Sequence, residues 1–182
     1  MEKIALFLAE GFEEIEALTV SDILRRAKME VVLVSITAIP RVESSHGIVV
    51  ETDTILSKLD FTGIDMIVLP GGMPGTRNLE ACKPLMDEVE KFYQNGKWIA
   101  AICAAPSILG HRGMLQGKTA CSFPEFESEL TGANVVKEAA VRDGNIITSR
   151  GMGCAIPFAL EILKVYKGEA FAEEMAEKII WK

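Results

Sequence analysis

Short apolar runs alternate with amphipathic segments along almost the whole chain, and this alternation limits the possible folds more than any other feature. Runs such as KIALFLA (3–9), IDMIVLP (64–70) and WIAAI (98–102) predict buried strands. The segment EEIEALTVSDILRRAK (13–28) predicts a helix, because its acidic residues lie in the first turn and its basic residues in the last. This order is typical of a single α/β domain, residues 1–182, with a mostly parallel central sheet flanked by helices.

The segments between these runs extend the same pattern. EVVLVSI (30–36) predicts a second strand, and VESSHGIVVETD (42–53) predicts an antiparallel hairpin beside the main sheet. PGGMPGTRNL (70–79) is rich in glycine and proline, so it predicts a loop that leads into a helix over 83–94. Further short strands and helices are expected after Cys103.

Composition and charge exclude several classes of protein. The chain has 49% hydrophobic and 25% charged residues, and its formal net charge is −7. Nucleic acid is bound through a basic surface, so the acidic net charge argues against a nucleic-acid partner. No apolar run approaches the roughly 20 residues that span a membrane, and acidic residues stand where a signal peptide would be cleaved. We therefore expect a cytoplasmic protein with no nucleic-acid or membrane partner.

Neither a metal nor a cofactor is expected from the motifs. The cysteines are scattered and form no C-x-x-C pair or zinc pattern with the two histidines, so they are interpreted as free thiols: Cys82, Cys103, Cys121 and Cys154. PGGMPG does not match the dinucleotide pattern G-x-G-x-x-G, and GMLQGKT does not match the phosphate-binding loop.

The stretch WIAAICAAPSILG (98–110) contains a candidate nucleophile. Small residues stand two positions before and after Cys103, at Ala101 and Ala105, as a sharp strand-to-helix turn requires. Such a turn would place the sulfur over the positive end of a helix, which predicts a lowered thiol pKa. The alternative is that Cys103 is a small hydrophobic residue of the core.

Glu16 is a candidate partner, because it shares a helical row with the apolar residues Val20, Ile23 and Ala27. A carboxyl group on a buried row is costly unless it is paired, and it usually responds by raising its pKa. The alternative is that Glu16 reaches the helix edge and stays in water.

The segment LPGGMPGT (69–76) offers a third feature. Two adjacent glycines after a strand can turn their backbone N–H groups into one concavity that binds an oxyanion. The alternative is a tight turn that needs glycine for its φ angles and nothing more.

Four motifs carry a resemblance to a known family: AEGFEEIEAL, LPGGMPGTRNL, AAICAAPSIL and ITSRGMG, in this order. Together they resemble the ThiJ/PfpI superfamily, in the branch of the parkinsonism-associated protein deglycase. The resemblance implies a flavodoxin-like three-layer sandwich and a homodimer. It also implies a reactive cysteine at Cys103, a hydrogen-bonding glutamate at Glu16, and oxyanion-hole amides at Gly72 and Ala104, with Gly71 shaping the turn.

Two positions depart from the family pattern. The protease-like branch has a histidine directly after the cysteine, where this chain has Ala104, and this counts against a peptidase or amidase. Some deglycase-like members place a histidine before a proline near the cysteine, where this chain has Phe123 before Pro124. Phe123 and Pro124, together with Arg150 and Gly151, are further candidates for the pocket. Three roles are open for Arg150: it binds an anion, stabilises a dimer or forms a structural salt bridge.

The resemblance implies an enzyme that acts on reactive α-oxoaldehydes such as methylglyoxal, or on their early adducts, through a Cys–Glu pair. The alternative is a non-enzymatic redox sensor or chaperone that is switched by oxidation of the same cysteine. Both functions would depend on an accessible, reactive thiol.

Overall fold

A computed structural model describes residues 2–181, which form a central seven-stranded sheet, two small two-stranded sheets and six α-helices. The strands are β1 (Lys3–Leu8), β2 (Glu30–Ser35), β3 (Arg41–Glu43), β4 (Val49–Glu51), β5 (Thr54–Ile55), β6 (Met66–Leu69), β7 (Trp98–Ile102), β8 (Thr119–Ala120), β9 (Asn134–Val135), β10 (Ala140–Asp143) and β11 (Ile146–Ser149). The helices are α1 (Glu14–Arg26), α2 (Gly75–Ala81), α3 (Lys83–Gln94), α4 (Pro106–His111), α5 (Ala155–Lys167) and α6 (Glu169–Lys178).

The central sheet has the order β10-β11-β7-β6-β1-β2-β5. All neighbours pair in parallel except β10 and β11, which form an antiparallel hairpin at one edge. The predicted α/β fold with a mostly parallel sheet is therefore confirmed. The predicted hairpin over 42–53 is also confirmed, because β3 and β4 pair in antiparallel fashion outside the central sheet.

Helices cover both faces of the sheet, and this explains why β1 is apolar at every position after Lys3. Ile4, Leu6 and Leu8 pack into a cluster that contains residues of α1, α5 and α6. Ala5 and Phe7 point to the opposite face and join a cluster that contains residues of α3 and α4. Successive side chains of a strand alternate between faces, so a strand covered on both sides needs apolar residues at every position.

The prediction of a continuous loop over 70–79 is wrong, because its second half forms α2. Glycine and proline are confined to the turn before the helix and to its start. Pro74 occupies the N-cap position, where the missing N–H of proline costs no helical hydrogen bond. Leu79 is fully buried and anchors this short helix on the sheet. Within residues 2–181, no helix is both long and apolar enough to cross a membrane.

Candidate active site

Cys103 lies immediately after β7, which is placed between β11 and β6 in the sheet, at the turn that leads into α4. Its φ is +65°, a backbone conformation that is uncommon and strained for a residue with a side chain. The turn is held from two sides, because the Cys103 N–H donates to the Ser149 carbonyl (2.9 Å) and its carbonyl accepts from the Phe123 N–H (2.8 Å). The structure therefore has the sharp strand-to-helix turn that the small residues predicted.

The environment of the Cys103 side chain differs from that of a core cysteine. Cys103 is half-buried, whereas Cys121 is fully buried and contacts Thr148. The backbone N–H groups of Gly72 and Ala104 face the Cys103 sulfur and favour its ionised form. These are the two amides that the family resemblance assigned to an oxyanion hole.

Glu16 projects from the first turn of α1 into the same pocket. It is 1% exposed, so the alternative in which it stays in water is wrong. Its Oε2 accepts a hydrogen bond of 2.8 Å from the Gly71 N–H, and its carboxyl group interacts with the Cys103 side chain. Within the described residues, the buried Oε1 has no hydrogen-bond partner.

Gly71 is the residue that lets the two side chains meet. A Cβ placed there would lie 2.6 Å from the Cys103 Cβ and 2.7 Å from Glu16 Oε2. Both distances are shorter than real Cβ contacts allow, so only glycine fits between the cysteine and the glutamate. The Gly71 carbonyl also accepts from the Glu13 N–H (2.9 Å), which fixes the turn against the start of α1.

Burial raises the pKa of the Glu16 carboxyl group from its ordinary value of 4.5 to about 7. The Gly71 N–H and the Cys103 thiol act in the opposite direction, and the nearby charge of Glu13 adds to the increase. A carboxyl group in this range exchanges its proton near neutral pH, as a general acid or base must.

The prediction of a lowered Cys103 pKa is wrong, because burial and the charge of Glu16 raise the pKa of this thiol. The amides of Ala104 and Gly72 oppose this increase. The sequence pattern indicated that Cys103 lies at the start of a helix. It did not indicate that the thiol is partly buried beside the Glu16 carboxylate. Two groups this close do not both ionise readily, so they share a proton.

Glu13 and Glu14, beside Glu16, have separate structural roles. Glu13 caps α1, since its Oε2 accepts from the Glu16 N–H (2.7 Å). Glu14 Oε1 lies 2.9 Å from Nδ1 of His46 on the hairpin. Glu13, Glu14 and His46 each offer one ligand atom, all within 4.8 Å of one another, and could hold a divalent cation. The sequence pattern predicted no metal site and did not indicate this cluster, because His46 is distant in sequence from the adjacent residues Glu13 and Glu14.

Phe123 and Gly151 border the pocket. A Cβ on Gly151 would lie 3.4 Å from Phe123 Cδ2 and 3.9 Å from the Cys103 sulfur, so all three residues meet. Pro124 begins a short 3-10 helix, Pro124–Glu129. Arg150 Nη2 lies 3.6 Å from Glu127 Oε1 in that helix, which corresponds to the structural salt bridge among the predicted alternatives.

Both histidines contact carboxylates rather than the cysteine. His46 pairs with Glu14, and the two ring nitrogens of His111 lie 2.6 Å from Glu80 and 3.0 Å from Glu129. These contacts leave the Cys103 thiol with Glu16 as its neighbouring acid–base group.

The fold and the pocket define an α/β protein with a cysteine at a strained strand-to-helix turn. Residues 2–165 match the model of the DJ-1/PfpI family, and the chain belongs to this family. The predicted superfamily is thus confirmed.

Known relatives agree with this assignment. The protein DJ-1 homolog A of Arabidopsis thaliana is 38% identical over 95% of this chain, and the chain spans about half of that relative's length (45%). A Caenorhabditis elegans relative named glutathione-independent glyoxalase DJR-1.2 is 29% identical, with 92% of this chain and 90% of the relative covered. The solved structure of oxidized Toxoplasma gondii DJ-1 has a TM-score of 0.94 and 33% identity, with 99% of this chain and 98% of that chain covered.

Proposed function

We propose that the protein converts reactive α-oxoaldehydes, or their early adducts, into hydroxy acids by cysteine-dependent catalysis. The observation that carries this proposal is the close approach of the half-buried Cys103 and the buried Glu16 on either side of Gly71, with the N–H groups of Gly72 and Ala104 facing the sulfur. The name of the Caenorhabditis elegans relative gives the same reaction class.

The first step is addition of the Cys103 sulfur to the aldehyde carbon. Glu16 in its ionised form accepts the thiol proton as the C–S bond forms, which avoids the cost of a free buried thiolate. The aldehyde oxygen gains negative charge, and the amides of Gly72 and Ala104 stabilise it until it is protonated to a hemithioacetal.

Glu16 then moves protons within the bound intermediate. Removal of the proton on the former aldehyde carbon gives an enediol, and return of a proton to the neighbouring carbon gives a thioester of a 2-hydroxy acid. Water hydrolyses the thioester, which releases the hydroxy acid and restores the thiol. The sum is one aldehyde and one water converted to one hydroxy acid, without a change in the redox state of the protein.

The test is lactate production from methylglyoxal by the reduced protein. Wild type and the control variant Cys82→Ser should form lactate, whereas Cys103→Ser and Glu16→Gln should not. Cys82 lies between α2 and α3, so this control removes a thiol without touching the pocket. Lactate formation by Cys103→Ser, or none by folded wild type, would contradict the proposal.

A redox sensor is a second candidate, and the partial exposure of Cys103 favours it. Peroxide would oxidise the thiol to the sulfenic acid and then the sulfinic acid, with one water released at each step. Mass spectrometry after mild peroxide treatment should show oxidation of Cys103 before the fully buried Cys121. Uniform oxidation of all four cysteines would argue against this function.

A peptidase or amidase has less support. Such enzymes activate the cysteine with a neighbouring histidine. Here Ala104 follows the cysteine, and both histidines contact carboxylates.

We also propose that the protein forms a homodimer and works in the cytoplasm, where its thiols stay reduced. The homodimer is supported by four large apolar residues that are each more than one-third exposed: Ile15 and Leu18 on α1, and Ile48 and Val49 on the hairpin. A parallel bridge between Phe12 and Ser44 joins the hairpin to the start of α1.

Light scattering should give twice the chain mass for the wild type and a lower mass for Leu18→Glu. A monomeric wild type would contradict the homodimer. Microscopy of a fluorescent fusion in the source cell tests the location, and signal confined to another compartment would exclude the cytoplasm.

A further inference from the structure

Three large apolar side chains are exposed on residues that border the Cys103 sulfur or directly follow such residues in sequence. Met73 is 45% exposed, Phe123 is 40% exposed and Met152 is 55% exposed. Met73 directly follows Gly72, whose amide faces the sulfur, and Met152 directly follows Gly151, which borders the sulfur. We call Met73, Phe123 and Met152 the apolar rim.

Phe123 is the best-placed member of the apolar rim. Its N–H donates to the Cys103 carbonyl, which fixes its backbone beside the nucleophile. Its ring edge and the Cys103 sulfur both lie within 4 Å of the Cβ position of Gly151. The ring therefore borders the sulfur where the absence of a side chain at Gly151 leaves space.

The opposite side of the sulfur is filled. Gly71 has no room for a Cβ between Cys103 and Glu16, and Glu16 is almost fully buried. When the aldehyde carbon is bonded to sulfur and its oxygen faces the two amides, the rest of the substrate can occupy the space beside Gly151, which Phe123 borders.

The apolar rim offers dispersion contacts from two thioethers and an aromatic ring. Arg150, the nearest cation in sequence, is paired with Glu127. Exposed apolar groups next to a reactive centre are typical of a binding site for an apolar ligand, and thioethers and aromatic rings pack well against aromatic substituents.

We propose that the site is selective for α-oxoaldehydes with an aromatic or bulky apolar substituent on the ketone carbon, and that the apolar rim binds this substituent. This proposal rests on the proposed function. The aldehyde chemistry is the same as for methylglyoxal, so an aryl glyoxal and one water give an aryl-substituted hydroxy acid.

The experiment compares kcat/KM for phenylglyoxal with kcat/KM for methylglyoxal in the wild type, in Phe123→Ser and in Met152→Ser. Because the two aldehydes differ in intrinsic reactivity, the measured quantity is the change in this ratio between variants. The ratio should fall about tenfold in each variant, the low end for loss of an apolar contact in a binding site. Ile39→Ser removes a 59% exposed apolar side chain elsewhere and should leave the ratio unchanged.

The outcomes separate this proposal from the proposed function. Turnover of methylglyoxal with an unchanged ratio in both variants would overturn the selectivity and leave the proposed function standing. If no aldehyde is turned over, alkylation of Cys103 by N-phenylmaleimide relative to maleimide tests the apolar rim directly. A lower relative rate in Phe123→Ser would support aryl binding, and an unchanged rate would overturn it.

Discussion

Replacing Glu16 by glutamine should make the free energy of unfolding less dependent on pH. In the folded protein burial raises the pKa of Glu16 from 4.5 to about 7. Between these two values the folded chain keeps a proton that the unfolded chain releases, so a rise in pH favours unfolding. The pKa difference corresponds to about 3 kcal/mol, because each pKa unit is worth about 1.4 kcal/mol.

The sign of the effect follows from this raised pKa. The stabilising contribution of protonated Glu16 is present below about pH 4.5 and is lost as the pH rises to about 7. Glutamine cannot ionise, and its carbonyl can still accept from the Gly71 N–H. The stability of Glu16→Gln relative to the wild type should therefore increase by about 3 kcal/mol from pH 4.5 to pH 8.

Urea unfolding of both proteins at several pH values between 4.5 and 8 measures this difference directly. Other titrating groups are common to the two proteins and largely cancel in the comparison. Glu173→Gln, which removes an exposed carboxylate from α6, controls for the general loss of one negative charge. A stability difference between wild type and Glu16→Gln that stays constant with pH would refute the reasoning.

The remaining predictions concern the groups around this carboxyl. If Glu16 is the base, kcat/KM for methylglyoxal should rise through about pH 7, and a flat profile would exclude this role. Glu13→Ala should cost about 1 kcal/mol of stability in urea unfolding through loss of the α1 cap, and it should move the rise in activity to lower pH because a neighbouring negative charge is lost. Gly71→Ala should lower turnover at least tenfold and destabilise the fold by about 2 kcal/mol, because its Cβ would overlap Cys103 and Glu16; wild-type activity and melting temperature would contradict this.

Much of the architecture was predictable because its signals are local. Residues 3–9 are apolar at every position because β1 is covered on both faces, and this pattern is visible without knowing which helices cover it. Small residues around Cys103 likewise indicate a tight turn wherever the turn lies in the fold. The α2 helix was not predicted, because the glycine and proline residues at its start indicated a loop over the whole segment.

The sequence by itself determined the fold class, the family and the strained turn at Cys103. Only the tertiary structure decided the chemistry of the pocket, because α1 brings Glu16 to the cysteine from a distant part of the chain. That contact and the accompanying burial reverse the predicted shift in the pKa of Cys103, since a low-dielectric pocket with an adjacent carboxylate disfavours the thiolate. The members of the apolar rim are likewise distant in sequence, because they follow β6, β8 and β11, and only the folded chain brings these turns to the carboxyl end of the central sheet.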